Sequence, residues 1–321
     1  MRSVVVNEQG GPEVLMVVDG PVPDPGPGQM RVTVGAAGVN FLDIQQRSGT
    51  YRMRTPFAIG SEGAGSVSAV GPEVTGVSVG DRVAWAMVPG GYAEEVVVPA
   101  DRVVPVPDSV DDETAAAVLL QGLTAHYLTR STYPVQPGDD VLLHAAAGGM
   151  GLLLVQLATR AGGRVIGTAS TAEKAKLARE AGAAEVLLSG DPDLADRVRG
   201  LTGGRGVAVV YDGVGKDTFD ISRKCLRPRG MLALFGLASG NVPAFEPQLL
   251  GRGSLFLTRP GLVDYIATRE ELLARAADLF AWIGDGSLSV RIGGRYPLAE
   301  ACRAHEDLAS RRTTGKLLIL P

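Results

Sequence analysis

At 321 residues with a formal net charge of −4, the chain is about twice the length of an ordinary domain, so two domains that each bury a core are expected. Its 45% hydrophobic and 21% charged residues exclude the profile of a disordered chain. No run of five or more Lys and Arg occurs, which argues against nucleic acid as a main partner.

Met1-Arg2-Ser3 leads into only three valines, shorter than the apolar region of a signal peptide, so a cytoplasmic protein is expected. From Met1 to about Val110, Gly and Pro punctuate short alternating or β-branched runs, namely Arg31–Val34, Gly65–Val70, Asp81–Trp85 and Tyr92–Val98. That is the pattern of a compact β domain with many turns. Pro21–Pro27 reads as a loop. The polar segment from Gly38 to Tyr51 is expected as a loop leaving a buried strand. Within it, Asn40 and Tyr51 are of types that orient a carbonyl oxygen or donate a hydrogen bond to it; ordinary turn chemistry explains them equally well. Ser109-Val110-Asp111-Asp112 resembles a capping box opening a helix through the apolar Ala115–Leu120 run.

Beyond Gly138, strands and helices alternate. The expected elements are strand Val141–His144, helix Met150–Ala161, strand Arg164–Thr168, helix Ala172–Ala181 and a strand near Val186–Leu188. A helix near Leu194–Leu201, strand Val207–Asp212, a helix near Thr218–Cys225 and strand Met231–Phe235 follow. This is the layout of a doubly wound parallel sheet. After Gly253–Leu257 come an amphipathic helix over Arg269–Ile283, a further strand, a helix over Leu298–Leu308 and a terminal strand over Lys316–Leu320, expected to return to the first domain. The apolar stretch from Val141 to Ala158 is broken by His144 and three glycines, so it is not read as a membrane span.

The strongest local signal lies between Val141 and Leu152. The turn Ala146-Ala147-Gly148-Gly149-Met150-Gly151 aligns with GxGxxG, with Ala in the first glycine position. A pyrophosphate must touch the backbone amides at the helix start, and a side chain at Gly148 would stand in its way. A glycine motif alone is weak; set between a predicted strand and helix inside repeated βαβ units, it assigns a nucleotide site. Where an Asp or Glu at the end of the next strand would favour NAD, the chain offers Gly167-Thr168-Ala169-Ser170-Thr171 and then Lys174. Those residues suit a 2′-phosphate, hence NADPH; the alternative for Lys174 is a solvated helix face beside Glu173. Cys225 and Cys302 lack the spacing of a zinc site or a disulfide framework. His126, His144 and His305 fall within predicted helices or at a strand end, where structural roles are expected, so no metal site is expected.

Motifs spread along the chain carry a family resemblance. They are Gly10-Gly11-Pro12-Glu13-Val14-Leu15, Asn40-Phe41-Leu42-Asp43, Gly80-Asp81-Arg82-Val83, Gln121-Gly122-Leu123-Thr124-Ala125, His144 through Gly151, and Thr258-Arg259-Pro260. Together they are similar to the zinc-free quinone oxidoreductase branch of the medium-chain dehydrogenase/reductase superfamily, the branch that includes zeta-crystallin. The resemblance covers essentially the whole chain. It implies an α/β protein: a GroES-like, β-rich catalytic domain over 1–122 and 268–321, and a Rossmann domain over 123–267, with NADPH in the cleft between them. It further implies a homodimer, and zinc-independent transfer of hydride or electrons from NADPH to a quinone.

The resemblance implies cofactor contacts from Asn40, Phe41, Gln121 and Thr124 toward the nicotinamide and its phosphates, and from Ala147, Gly148, Gly149, Met150 and Gly151 at the pyrophosphate. Ser170, Lys174, Ser189 and Arg311 are implied around the adenosine phosphate, and Phe235, Gly236 and Leu237 form the turn that meets the carboxamide. Asn40 and Tyr51 are the implied catalytic residues, and Gln45 and Tyr51 line the acceptor. Two positions depart from close bacterial members of the branch, which carry tyrosine where Gln45 and Ser189 stand. The first change removes an aromatic stacking face from the pocket wall; the second leaves the Lys174 and Arg311 charges in place. The same superfamily supplies enoyl and enone reductases, for which Arg47, Arg52 and Arg54 would form a basic entrance, although a solvated loop explains them too. A non-catalytic NADPH-binding protein is the rival of another class, and the intact nicotinamide-side motifs argue against it.

Overall fold

The computed structural model describes residues Met1–Pro321 as two units, Met1–Leu123 with Ile266–Pro321, and Thr124–Tyr265. The first opens with β1 (Arg2–Val6), β2 (Leu15–Asp19), β3 (Gln29–Val39), α1 (Phe41–Arg47), β4 (Phe57–Ala58), β5 (Glu62–Val70), β6 (Arg82–Ala86), β7 (Glu95–Pro99) and β8 (Val103–Pro105). Helix α2 (Asp112–Tyr127) leads into the second unit, which alternates β9 (Asp140–Leu143), α3 (Gly149–Arg160), β10 (Arg164–Ala169), α4 (Ala172–Glu180), β11 (Glu185–Leu188) and α5 (Leu194–Leu201). It continues with β12 (Val207–Asp212), α6 (Phe219–Cys225), β13 (Leu226–Leu234), α7 (Gln248–Gly251), β14 (Phe256–Thr258) and α8 (Leu262–Tyr265). The chain then rejoins the first unit through α9 (Arg269–Gly284), β15 (Ile292–Pro297), α10 (Ala301–Ala309) and β16 (Lys316–Leu320).

In the second unit the strands lie in the order β11-β10-β9-β12-β13-β14, every neighbour parallel. Counted from β9 this is the 3-2-1-4-5-6 order of doubly wound folds, which bind ligands beyond the carboxyl ends of the strands where the order reverses. The residues dictate it. Val207-Ala208-Val209-Val210-Tyr211-Asp212 is buried at all six positions, the unbroken run that a parallel strand covered on both faces requires. Leu142, Ile166, Val210 and Leu232, from four neighbouring strands, pack with Leu194 and Val198 of α5 and Phe219 of α6.

The first unit holds a small antiparallel sheet, β2-β1-β4, and a larger one ordered β15-β16-β3-β5-β6-β8, with β7 also paired to β3. Its core gathers Met30, Val32, Trp85, Tyr92, Leu317 and Ile319. Strand β16 pairs antiparallel with Ala37–Val39, which brings Lys316 beside the point where the chain leaves β3. Helix α9 is capped by Thr268, whose hydroxyl accepts the Glu271 amide at 3.2 Å, and it buries Leu272, Ala276, Leu279 and Phe280, the spacing of one helical face.

Three expectations from the sequence are corrected. The Gly38–Tyr51 segment is helical over α1, with Asn40 as its N-cap (φ −128°, ψ 154°) and Asp43 Oδ2 accepting the Asn40 amide at 2.8 Å; polar residues read as loop are cap and first turn. At α2 the cap is Asp111, whose Oδ1 accepts the Thr114 amide at 2.7 Å, not Ser109. Strand β13 begins at Leu226, five residues ahead of the expected Met231: Arg-Pro-Arg-Gly reads as loop, but Arg229 at φ 60° and a register shift opposite Val207–Val209 carry the strand through it.

Candidate active site

Strand β9 ends at Leu143, and the chain turns through Ala145 (φ 53°) before α3 begins at Gly149. Gly148 is the N-cap, with φ −71° and ψ 167°, and no side chain caps the first turn. Unclaimed amides at the positive end of a helix are what an anion requires. The two glycines at either side of this start have different reasons. A Cβ at Gly151 would lie 2.3 Å from the Ala145 carbonyl oxygen and 2.7 Å from the Ala146 carbonyl carbon, so the turn and α3 pack only around glycine. A Cβ at Gly148 would meet only the Ala145 oxygen, at 3.4 Å. No protein atom demands glycine at 148, and the space a side chain would fill is a cradle that fits a pyrophosphate.

The Ser189 amide donates to the Ala169 carbonyl at 2.9 Å, drawing the ends of β10 and β11 together. Ser170 and Ser189 are exposed there and Lys174 is half-buried. Thr171 caps α4 by accepting the Lys174 amide at 3.2 Å, and partial burial holds the Lys174 ammonium below its ordinary pKa. Phe235, Gly236 and Leu237 follow β13; the Asp212 carbonyl accepts the Phe235 and Gly236 amides at 2.9 and 3.3 Å, and Arg259 donates to the Phe235 carbonyl at 3.0 Å. Residues 147–151, 170, 174, 189 and 235–237 therefore share the carboxyl edge of one parallel sheet. Thr124, half-buried on α2, is where the second unit begins.

In the first unit, Asn40 is buried and its amide is fully engaged. Its Oδ1 accepts from Lys316 Nζ at 2.6 Å, while Nδ2 donates to Glu62 Oε1 at 2.7 Å and to the Gly38 carbonyl at 3.3 Å. Lys316 and Glu62 pair at 2.5 Å with side chains 1% and 0% exposed, and Glu62 Oε2 also accepts the Leu120 amide at 2.8 Å. Asn40 thus forms a fixed polar wall, with both of its amide protons engaged within the fold. Asp43 accepts from Ser61 Oγ at 2.6 Å and Tyr92 Oη at 3.1 Å. Burial pushes its carboxyl up to about 6 against those bonds. Tyr92 Oη lies 3.2 Å from His305 Nε2, and burial lowers that imidazole to about 3.

Phe41 and Gln45, both half-buried, lie on α1. Tyr51 follows it, 38% exposed, with its amide on the Gln45 carbonyl at 2.9 Å and its own carbonyl accepting from Gln9 Nε2 at 3.1 Å. Gln121 on α2 carries a buried Oε1 with no hydrogen-bond partner, an acceptor suited to a cofactor donor. Arg311 follows α10, exposed and at φ 56°. No group of three His, Cys, Asp or Glu side chains is placed to hold a metal ion. Sequence reasoning missed Glu62 and Lys316. A signal was present, since both charges sit among small or apolar residues and a buried charge needs a partner; a pairing across 254 residues is not legible locally.

Two family models match the chain: the alcohol dehydrogenase GroES-like domain over residues 26–108 and the zinc-binding dehydrogenase over residues 149–280. Fold and site thus define a two-unit, dinucleotide-dependent oxidoreductase class. The chain is 49% identical over 315 residues to a quinone oxidoreductase of Pseudomonas aeruginosa, covering 97% of each. It is 43% identical to a 2-haloacrylate reductase of Burkholderia sp., covering 100% of this chain and 99% of that one. A mycobacterial structure complexed with NADPH is 53% identical, matches with a TM-score of 0.98 and is covered in full, as is this chain. The chain belongs to the quinone oxidoreductase family of the medium-chain dehydrogenase/reductase superfamily.

Proposed function

We propose that this chain is an NADPH-dependent quinone oxidoreductase that transfers hydride, or electrons, to a quinone without zinc. The observation that carries the cofactor is Gly148, a glycine no protein contact demands at the uncapped start of α3; family membership carries the acceptor class. When bound, NADPH supplies the hydride from its nicotinamide C4.

The remaining roles belong to the protein. Ala147 through Gly151 present amides to the pyrophosphate, and Ser170, Lys174, Ser189 and Arg311 hold the adenosine phosphate. The Phe235-Gly236-Leu237 backbone meets the carboxamide, while Asn40, Phe41, Gln121 and Thr124 line the nicotinamide end. Gln45 and Tyr51 line the acceptor, and the Tyr51 phenol donates the proton that follows the hydride. The lack of any cluster of three metal-ligating side chains supports zinc independence. An exposed Phe256 on the outermost strand, β14, supports a homodimer. No helix is long and apolar enough to cross a membrane, and two free cysteines fit the cytoplasm, the compartment we propose.

A 2-haloacrylate reductase among the relatives favours a second reading, reduction of a carbon–carbon double bond conjugated to a carbonyl or carboxyl group. Loss of nicotinamide absorbance, followed with NADPH and NADH on metal-stripped protein against quinones, enones and an enoyl thioester, separates the two. NADPH-specific quinone turnover is expected. Turnover on enones or the thioester alone would replace the first reading with the second, and no turnover on any acceptor would overturn both.

A further inference from the structure

A chain of buried side chains runs through the second unit directly beneath the turn that opens α3. The Ala145 amide donates to Thr168 Oγ1 at 3.3 Å, and Thr168 Oγ1 lies 3.2 Å from His144 Nδ1. His144 Nε2 lies 2.9 Å from Ser222 Oγ, which donates to Asp212 Oδ2 at 2.7 Å. All four side chains belong to residues no more than 4% exposed. Asp212 Oδ1 also accepts the Val214 and Gly215 amides at 2.9 and 3.0 Å, and the Thr218 hydroxyl at 2.8 Å.

The donor inventory allows one direction through this chain. A carboxylate only accepts, so the Ser222 proton points at Asp212 and Ser222 Oγ must accept from His144 Nε2–H. Burial favours the neutral imidazole, outweighing the opposing pull of Asp212. Nδ1 is then an acceptor, the Thr168 hydroxyl donates to it, and the Thr168 oxygen lone pair is left facing the Ala145 amide. That residue needs holding: a left-handed φ of 53° at a non-glycine is strained and persists only where its surroundings impose it. The Thr168 carbonyl adds a second restraint, accepting the Ala146 amide at 2.9 Å.

We propose that His144, as the neutral Nε2–H imidazole, is a positioning residue for the cofactor turn, orienting the Thr168 hydroxyl so that Ala145 and the amides after it are set for the pyrophosphate. This rests on the assignment of the dinucleotide to that turn. His144 touches no ligand itself; it acts through Thr168.

Nitrogen-15 NMR of the imidazoles in the wild-type protein should show His144 protonated at Nε2 and bare at Nδ1; an Nδ1–H tautomer or an imidazolium would overturn the proposal. Thr168→Val keeps the buried shape and removes the hydroxyl. It is expected to raise the Kd and KM for NADPH about 10-fold, the equivalent of one hydrogen bond, while kcat falls by less than about 3-fold, and Thr168→Ser should restore affinity. His144→Asn, which keeps an acceptor near the Nδ1 position, should bind NADPH more tightly than His144→Leu. If Gly148→Ala abolishes NADPH binding but Thr168→Val leaves it unchanged, the positioning role fails and the cofactor site stands. If neither matters, the cofactor site itself is wrong.

Discussion

Replacing Gly148 and Gly151 separately by alanine divides two reasons for glycine in one turn. At Gly148 the backbone is extended, φ −71° and ψ 167°, and the new methyl would meet only the Ala145 oxygen at 3.4 Å. An alanine in place of glycine at an N-cap costs up to about 1 kcal/mol, so the melting temperature should fall by no more than about 4 °C. The same methyl occupies the cradle over the helix start. Displacing a pyrophosphate from two amides removes two hydrogen bonds to a charged group, at about 1.5–3 kcal/mol each. Together that is roughly a 10²- to 10⁴-fold loss of NADPH affinity. At Gly151 the methyl would stand 2.3 Å from the Ala145 oxygen, and such overpacking costs about 1–3 kcal/mol or more, lowering the melting temperature by roughly 2–12 °C or more. Scanning calorimetry of both cofactor-free variants, with fluorescence titration by NADPH, reads the two effects independently. The reasoning is refuted if Gly148→Ala binds NADPH as the wild type does, or if it melts as early as Gly151→Ala.

Asp43 gives a pH signature. Its carboxyl titrates at about 6 in the fold against 3.8 when exposed, so the folded state holds the proton more tightly. The stability this contributes is complete below about pH 4 and is lost as the pH rises through about 6, about 3 kcal/mol in all. Urea unfolding of Asp43→Asn should therefore gain on the wild type by about that amount between roughly pH 4 and 7, whereas a constant difference would count against the buried carboxyl as the source. Lys316→Met strands the Glu62 carboxylate in the core, at about 3–5 kcal/mol; the double variant Lys316→Met/Glu62→Gln should recover more than half of that, and simple additivity would mean the pair does not couple. Tyr51→Phe should cut kcat about 100-fold in the quinone assay, and an unchanged kcat would remove the phenol from the reaction.

The Rossmann unit was legible because its signals are local. Each strand is a short apolar run, each helix carries its own period, and Ala146–Gly151 falls where one hands over to the other. The helix over Phe41–Arg47 was not, because its cap is made by Asp43 on the Asn40 amide and the same polar residues describe a loop. Asn40 stood out in the sequence, but its partners did not: the groups that take its amide are Glu62 on β5 and Lys316 at the head of β16. Only the antiparallel pairing of β3 with both strands brings them together. In the same way His144 carries a structural appearance in the sequence, a polar residue closing a strand, and nothing nearby announces Ser222 or Asp212 as its partners.

Each unit places a buried polar network immediately behind a segment that the proposed reaction uses, the start of α1 in the first and the turn before α3 in the second. Such networks are expensive in folding free energy, since well-packed apolar side chains of similar volume are often as stabilising or more so. Their retention is better explained by geometry than by stability. In the second unit Asp212 makes the point: its side chain ends the chain that reaches Ala145, while its carbonyl accepts the Phe235 and Gly236 amides. One residue at the end of β12, the strand beside the reversal of strand order, thus ties together the turn assigned to the pyrophosphate and the turn assigned to the carboxamide. A shift at Asp212 would move both turns together, whereas the apolar core beneath it, packed by shape alone, does not tie two separate backbone turns to one residue.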